Sequence, residues 1–454
     1  MKYYHSPKKK KKKSLKKICM VLLIILSLII IVESIDLLLN RDKIFKGVTA
    51  SGVDVGGLKR EEVSQVLKPV ISEIINSPRI LTFEDNKFTF IPVEDLWAKV
   101  DLNQEINRLY RIARSGNIFN RIKERITTQR RGYQLDLTVK FDDQKMKVLE
   151  GKIAELVERA PIDAYLENNY IRESQDGIEV DFEELEERII TSLNNYKKEE
   201  YYLKIPVKII PPQYSTEDLL EELGLTQEIS NYSTVLKNRD GNTIFNIRLA
   251  AKKINGRVIK PGEIFSFNQI VGPAEKEDGF KEGTIIANGK FIKGYGGGVC
   301  QVSSTLYNSV ILANLMIIER YNHSVYGDAT TYVPLGRDAA VFYGYKDLKF
   351  RNNLSDKIVI FARVAGEILT VSIYGNYPHK PEIEIISKDK KIIDYQVIRE
   401  NDPGLEEGQE IVFQEGNPGY QIKTYRIIKK AEEEKVELLS NDTYNDIPKI
   451  IREN

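Results

Sequence analysis

The segment Ile18 to Val32 runs for fifteen residues without a charge, directly behind a basic stretch in which Lys8 to Lys13 is unbroken. As a helix this run spans about 22 Å, short of the ~30 Å hydrocarbon core of a bilayer. Extension through Ser34 and Ile35 to Leu37, Leu38 and Leu39 supplies the missing length, with Glu33 and Asp36 near the outer interface. No small-x-small cleavage pattern follows the apolar run, so residues 18–39 read as an uncleaved transmembrane signal anchor. The basic tail 1–17 holds the N-terminus in the cytoplasm. The chain beyond residue 40 is expected to lie outside the membrane.

Charge agrees with this division. Nine of the 67 Lys+Arg residues sit in 1–17, which hold no acid, so the formal net charge of +1 conceals a body carrying −8. A basic tip on a mildly acidic body is a targeting pattern, and no nucleic acid partner is expected. Two Cys and three His exclude a disulfide scaffold and leave no multi-ligand metal site. There is no phosphate-cradling Gly-x-x-x-x-Gly-Lys loop and no haem or flavin signature, so no cofactor is expected.

The 454 residues correspond to roughly three domains at ~150 residues each. Within 45–130, Val63, Val66, Leu67, Val70, Ile71 and Ile74 fall at helical spacing, and strands follow around Asp85-Asn86. This is a small α+β module. Residues 134–213 echo it, with Gly177-Ile178-Glu179-Val180 paralleling Gly52-Val53-Asp54-Val55 and a capping box from Asp181 to Glu184. Pro211-Pro212 reads as a linker. A mixed α+β domain is expected over 230–375. Residues 381–454, punctuated by Pro and Gly with alternating Ile422, Thr424, Arg426 and Ile428, read as an all-β module. The fold class is α+β multidomain behind an N-terminal membrane helix.

The chemistry concentrates around Cys300. Gly296-Gly297-Gly298-Val299-Cys300-Gln301-Val302-Ser303-Ser304 leads into an almost continuously apolar stretch, Ser309 to Glu319. Glycines directly before a helix permit a tight turn and a close approach. They also leave Cys300 near a helix N-terminus, where free N–H groups lower a thiol pKa. Gly297, Gly298, Gln301, Ser303 and Ser304 are candidate ligand contacts. His323 is the natural base for the thiol, but a straight helix from Cys300 to Glu319 would separate its ends by ~28 Å, beyond the ~14 Å return of four extended residues. The two meet only if the helix breaks early, for instance near Asn314. Asp338 and Asp347 are easier neighbours. Arg337 either grips a carboxylate, such as a peptide C-terminus, or pairs with Asp338 to fix a turn.

The ordered motifs Gly296 to Asn308, Arg320 to Ser324, Gly336-Arg337-Asp338-Ala339 and Asp347 to Asn352 resemble the VanW family, named for an accessory protein of vancomycin-resistance clusters. The resemblance covers about residues 235–375. The upstream modules, best through Val53-Asp54-Val55-Gly56-Gly57-Leu58, are similar to the peptidoglycan-binding domain that often precedes VanW domains. Residues 381–454 resemble the "G-five" module of cell-surface proteins, through Gly408 to Tyr425. That likeness implies binding to N-acetylglucosamine sugars.

Two readings follow. One is a membrane-anchored, extracytoplasmic protein that binds peptidoglycan without catalysis, linked to glycopeptide resistance. Several weak sites on one tether suit a polymeric ligand. The other is a Cys300-dependent enzyme acting on wall peptide by acyl transfer or hydrolysis, with Cys300, His323 and Asp338 as its catalytic residues.

Overall fold

The computed structural model describes residues 40–194, 201–287, 290–327, 330–431 and 433–454, with scattered positions between 17 and 38. The expected anchor over 18–39 therefore lies only partly within the described residues. Among the described residues, no helix is long and apolar enough to cross a membrane. The chain forms two compact units, one built from residues up to Ala160 with Gly177–Ile210, the other from Pro161–Asp176 with Pro211–Asn454.

In the first unit, helix Arg60–Asn76 buries Val63, Leu67, Val70 and Ile74, and helix Asp143–Val157 buries Met146, Leu149, Ile153 and Val157. Both rows follow the i, i+3/i+4 spacing of one helix face. They meet Leu185, Ile189 and Leu193 of helix Phe182–Asn194 in a single core. Strands cross between the two sequence segments as well. Tyr202–Lys204 lies parallel to Arg79–Phe83, and Tyr133–Leu135 lies parallel to Val48–Ala50. The fully buried Arg79 donates to the carbonyls of Ile74 and Ser192, each at 3.2 Å. Segment 45–130 and most of 134–213, expected as separate modules, are thus parts of one folded body, while Pro161–Asp176 goes to the second unit. The physical reason is strand length. These strands run two to five residues each, and each segment needs the other's ladder to bury its helices. A further helix, Ile118–Arg131, is capped by Asn117 and ends at Gly132.

The second unit is organised by a six-stranded antiparallel sheet. Its order is Gln227–Val235, Ile368–Gly375, Ile358–Ala365, Arg257–Ile259, Tyr170–Arg172 and Tyr165–Glu167. Helices Gly241–Ile254 and Val299–Leu312 share its core with Ile360, Val371 and Ile373. Hairpin Glu282–Ala287/Lys290–Tyr295 leads into the glycine loop before the second helix. The C-terminal region is all β, as expected. It holds the sheets Glu382–Ile393/Gly419–Lys430/Glu433–Tyr444 and Val397–Asn401/Lys449–Glu453/Glu410–Gln414.

Helix Val299–Leu312 does not continue to Glu319. Its C-terminus is closed by Asn314 at φ +59°, while the N–H of Leu315 returns to the carbonyl of Val310 at 3.1 Å and that of Asn314 to Ile311 at 3.3 Å. This is a Schellman closure with asparagine at the left-handed position. The next residues, Met316–Glu319, form a strand paired with Lys349–Arg351. The apolar stretch expected as one helix is a helix, a turn and a strand, and the chain doubles back toward the helix start. Asn314→Gly is expected to keep or slightly raise stability, whereas Asn314→Val, forced into the left-handed region, should cost about 2 kcal/mol. Urea denaturation of the two variants, compared at equal m-value, checks this.

Candidate active site

Cys300 is the second residue of helix Val299–Leu312, with Gly298 at the N-cap in a left-handed conformation, φ +102°. A side chain at Gly298 would come within 2.8 Å of Ile247 and 2.9 Å of Thr243, so only glycine lets helix Gly241–Ile254 pack this closely. The backbone N–H of Cys300 has no acceptor among the described residues. It is one of the free first-turn donors that favour negative charge at this point.

The return of the chain at Asn314 brings His323 to the thiol. Its imidazole lies close enough to the Cys300 side chain to govern its ionisation, and its Nδ1 lies 2.5 Å from Asp338 Oδ2. That contact leaves Nε2 as the nitrogen facing sulfur. The N–H of His323 also donates to Asp338 Oδ2 at 2.7 Å. Asp338 is fully buried, His323 is buried and Cys300 is partly exposed. The distance objection to a Cys300–His323 pair is removed because the helix ends at Leu312. The structure brings the three expected catalytic residues into one row, hydrogen-bonded between His323 and Asp338. Asp347 lies elsewhere, accepting from Ser266 at 2.6 Å and from the N–H of Asn268 at 2.9 Å.

The electrostatics are those of an ion pair. Burial pushes the Cys300 thiol up, but the hydrogen bond and charge of His323 more than reverse this and leave it below its ordinary value. Burial pushes His323 down, while hydrogen bonds to Asp338 and Cys300 raise it to about 9. Asp338 is held well below the usual carboxylate range; burial opposes this, and His323, Arg320 and Tyr444 overcome it. Arg320 donates from Nη2 to Asp338 Oδ1 at 3.1 Å and from Nη1 to both carboxylate oxygens of Asp442 at 2.6 Å. Tyr444 donates to Asp338 Oδ1 at 2.5 Å. Of these supporting residues, Arg320 stood inside a recognised motif. Asp442 and Tyr444 carried only the alternating burial of a strand, with no sign of their partner.

The expected ligand contacts separate into two groups. Gln301, Ser303 and Ser304 are fully buried and brace the site instead of facing a ligand. Gln301 donates to Thr234 and to the carbonyl of Val235, Ser303 donates to the carbonyl of Ala339 at 2.6 Å, and Ser304 accepts from the N–H of Ala339 at 2.9 Å. Residues 337–341 thereby run antiparallel along the helix face formed by Cys300, Ser304 and Asn308, and Val341 donates its N–H to Sγ at 3.5 Å. Gly297 is buried, with its carbonyl accepting from Asn246, and Gly298 is filled against Thr243. These two positions accommodate the protein's own helix. Arg337 does not pair with Asp338. It donates to Asn308 at 2.7 Å, stacks over Tyr232, and has no acidic partner among the described residues. Among the described residues there is no metal-binding cluster of His, Cys, Asp or Glu.

The ion pair makes a pH prediction. Below about 9 the imidazolium is present and attracts an anionic reagent to the thiolate; above it the positive charge is lost. Alkylation of Cys300 by iodoacetate should therefore remain fast into acidic solution and fall above pH 9. In His323→Ala the thiol loses its counter-ion, and the rate at pH 6 should drop at least about 100-fold, as for a thiol of pKa ~8.5 or higher. The labelling rate, read by mass spectrometry across pH, checks both.

Comparison with known proteins places these residues in context. The family model described as "VanW like protein" matches residues 242–374, that described as "Putative peptidoglycan binding domain" matches 89–201, and that of the G5 domain matches 384–453. The uncharacterized protein YoaR of Bacillus subtilis is 38% identical over 174 residues, 38% of this chain and 56% of that protein. The vancomycin B-type resistance protein VanW of Enterococcus faecalis is 36% identical over 137 residues, 30% of this chain and 50% of that protein. The chain thus spans about half the length of the curated relatives it matches. Among solved structures, an IgA1 protease G5 domain is 30% identical, covers 17% of this chain and 94% of its own, and has a TM-score of 0.14. The HP0197 G5 domain is 17% identical, covers 16% of this chain and 99% of its own, and has a TM-score of 0.12. The chain accordingly carries a VanW-like domain, set between a match to the peptidoglycan-binding model and a match to the G5 model.

Proposed function

We propose that this protein is a membrane-anchored, extracytoplasmic cell-wall protein whose VanW-like domain performs thiol-dependent acyl chemistry on wall peptide. The carrying observation is the row Cys300–His323–Asp338, in which His323 is hydrogen-bonded to Asp338 and coupled to the thiol, with the thiol below and the imidazole above their ordinary values. A nucleophilic cysteine needs an adjacent base and a third group to orient that base. Each is present here. The peptidoglycan-binding and G5 matches support the wall as the partner, since binding modules on one tether concentrate the reactive site along a polymer. The likeness to a vancomycin resistance protein supports a role in glycopeptide resistance.

In this reading the Cys300 thiolate attacks a peptide carbonyl carbon, forming a C–S bond and an oxyanion that the free N–H of Cys300 stabilises. The oxyanion collapses, the C–N bond breaks, and the His323 imidazolium donates its proton to the leaving amine. Water or a second amine then attacks the thioester, His323 takes the proton, and the thiolate departs. The product is a hydrolysed or transferred acyl group. Asp338 keeps its charge throughout and holds the imidazole in orientation. Arg337 rests on Asn308, two helical turns or about 12 Å from Cys300. Three to four extended residues cover that distance, which suits Arg337 to grip the terminal carboxylate of a short peptide.

Purified peptidoglycan and its stem peptides are the substrates to offer. Wild-type protein is expected to release or transfer an amine and to carry an acyl mass on Cys300, whereas Cys300→Ser should lose both while still sedimenting with wall. Undiminished wall chemistry in Cys300→Ser would leave the protein as a binder alone. Arg337→Gln is expected to raise KM about tenfold or more for a peptide with a free C-terminus, through loss of a charge-assisted hydrogen bond, and to leave an amidated peptide unaffected. Steady-state kinetics on the two peptides separate these outcomes.

A further inference from the structure

Between Glu319 and Lys349 the chain has no helix and no strand among the described residues, yet it supplies His323, Arg320 and Asp338. The conformation of this long loop must be imposed from outside, because it has no ladder of its own. Much of the imposing surface is the sheet of the C-terminal region. Asn322 donates to the carbonyl of Thr443 at 2.8 Å, and the N–H of Asn445 donates to the carbonyl of Ser324 at 2.7 Å. Thr424 donates to the carbonyl of Gly336 at 3.1 Å, and the N–H of Gly336 donates to the Tyr444 hydroxyl at 3.1 Å. A side chain at Gly336 would meet Thr424 at 2.5 Å, so the loop is pressed flat on this sheet.

Two side chains reach further in. Asp442 and Tyr444, alternate residues on strand Glu433–Tyr444, both point into the protein. Asp442 takes both 2.6 Å contacts from Arg320, which in turn donates to the side chain and, from Nε at 2.6 Å, to the backbone carbonyl of Asp338. The Tyr444 hydroxyl closes on Asp338 Oδ1 directly. We propose that Tyr444 and Asp442 are positioning residues of the thiol site, so that the G5 domain is a working part of the reactive centre and not only an appended wall-binding module. This rests on the thiol reading of the VanW-like domain. It adds that the carboxylate end of the row is held by a strand outside that domain.

The charges give the proposal a signature. Arg320, Asp338, Asp442 and His323 form one buried group that opens at the partly exposed Cys300; the other ionisable side chains facing it, Tyr307, Tyr326 and Tyr332, are raised by burial and stay protonated. Asp442→Asn removes a negative charge, so the imidazolium loses its proton more readily. Tyr444→Phe removes a donor from Asp338, leaves that carboxylate more basic and so retains the imidazolium longer. The full-length chain and both variants are alkylated with iodoacetate across pH, with circular dichroism taken on the same samples. Relative to wild type, the alkaline fall in rate should move to lower pH by about one pH unit in Asp442→Asn and to higher pH by about half a unit in Tyr444→Phe. Opposite displacements cannot come from a general loosening of the fold. A wild-type profile like that of an ordinary thiol would overturn the thiol reading itself. A wild-type profile with the expected fall, unchanged in both variants, would overturn only the role of the G5 domain. If Asp442→Asn does not fold, Tyr444→Phe, which keeps the packed ring, decides alone, and an unmoved fall there defeats the proposal.

Discussion

Four donors converge on the carboxylate of Asp338: the backbone and ring nitrogens of His323, the guanidinium of Arg320 and the hydroxyl of Tyr444. Its side chain is sealed from water, where an unpaired charge would cost several kcal/mol. The four partners turn that cost into orientation. Arg320 is fixed in turn by Asp442 and Tyr444 by the N–H of Gly336, while His323 is held twice, by ring and by backbone, to the same carboxylate. The thiol inherits the result, because an imidazole that cannot rotate presents one nitrogen to sulfur and keeps its proton into mildly alkaline solution.

Reaching this arrangement needs a tight reversal of the chain. The 14-residue helix carries the sulfur at its start and runs about 21 Å away from it. Asn314 turns the chain, and the strand Met316–Glu319 brings it back within reach. The buried polar residues on the same helix then align segment 337–341 beside it. Four helical residues and two extended residues advance by nearly equal lengths, about 6 and 6.6 Å, so Ser304 and Asn308 meet Ala339 and Arg337 in step. The bracing serines and the asparagine fix the site by periodicity.

Much of this was legible in the residues themselves. Glycine before Val299 announced a helix start with a thiol near its tip, and the Asp181–Glu184 spacing announced a cap that is present. What could not be read was contact at long separation. Periodicity does not distinguish a buried helix from a buried strand in a continuous apolar run, which is why Ser309 to Glu319 looked like one helix. Nothing in 45–130 or 134–213 signals that their short strands pair with one another. The charged helix Ile118–Arg131, with few apolar residues on its buried face, gave little pattern to find. Asp442 and Tyr444 lie more than a hundred residues beyond Asp338, and only the folded sheet puts them beside it.

The hairpin Tyr165–Glu167/Tyr170–Arg172 comes from a stretch flanked on both sides by first-unit residues, yet it forms the edge of the second unit's six-stranded sheet. Gly256, at φ +75°, admits it closely, since any side chain there would lie 2.2 Å from the carbonyl of Ile171. The polypeptide therefore passes from one body to the other, back again, and across once more. A recombination event with a single breakpoint could not transplant either body whole. Inheritance of the upstream body alone would carry off the edge strands of its neighbour, so the two must travel through evolution as a joint cargo.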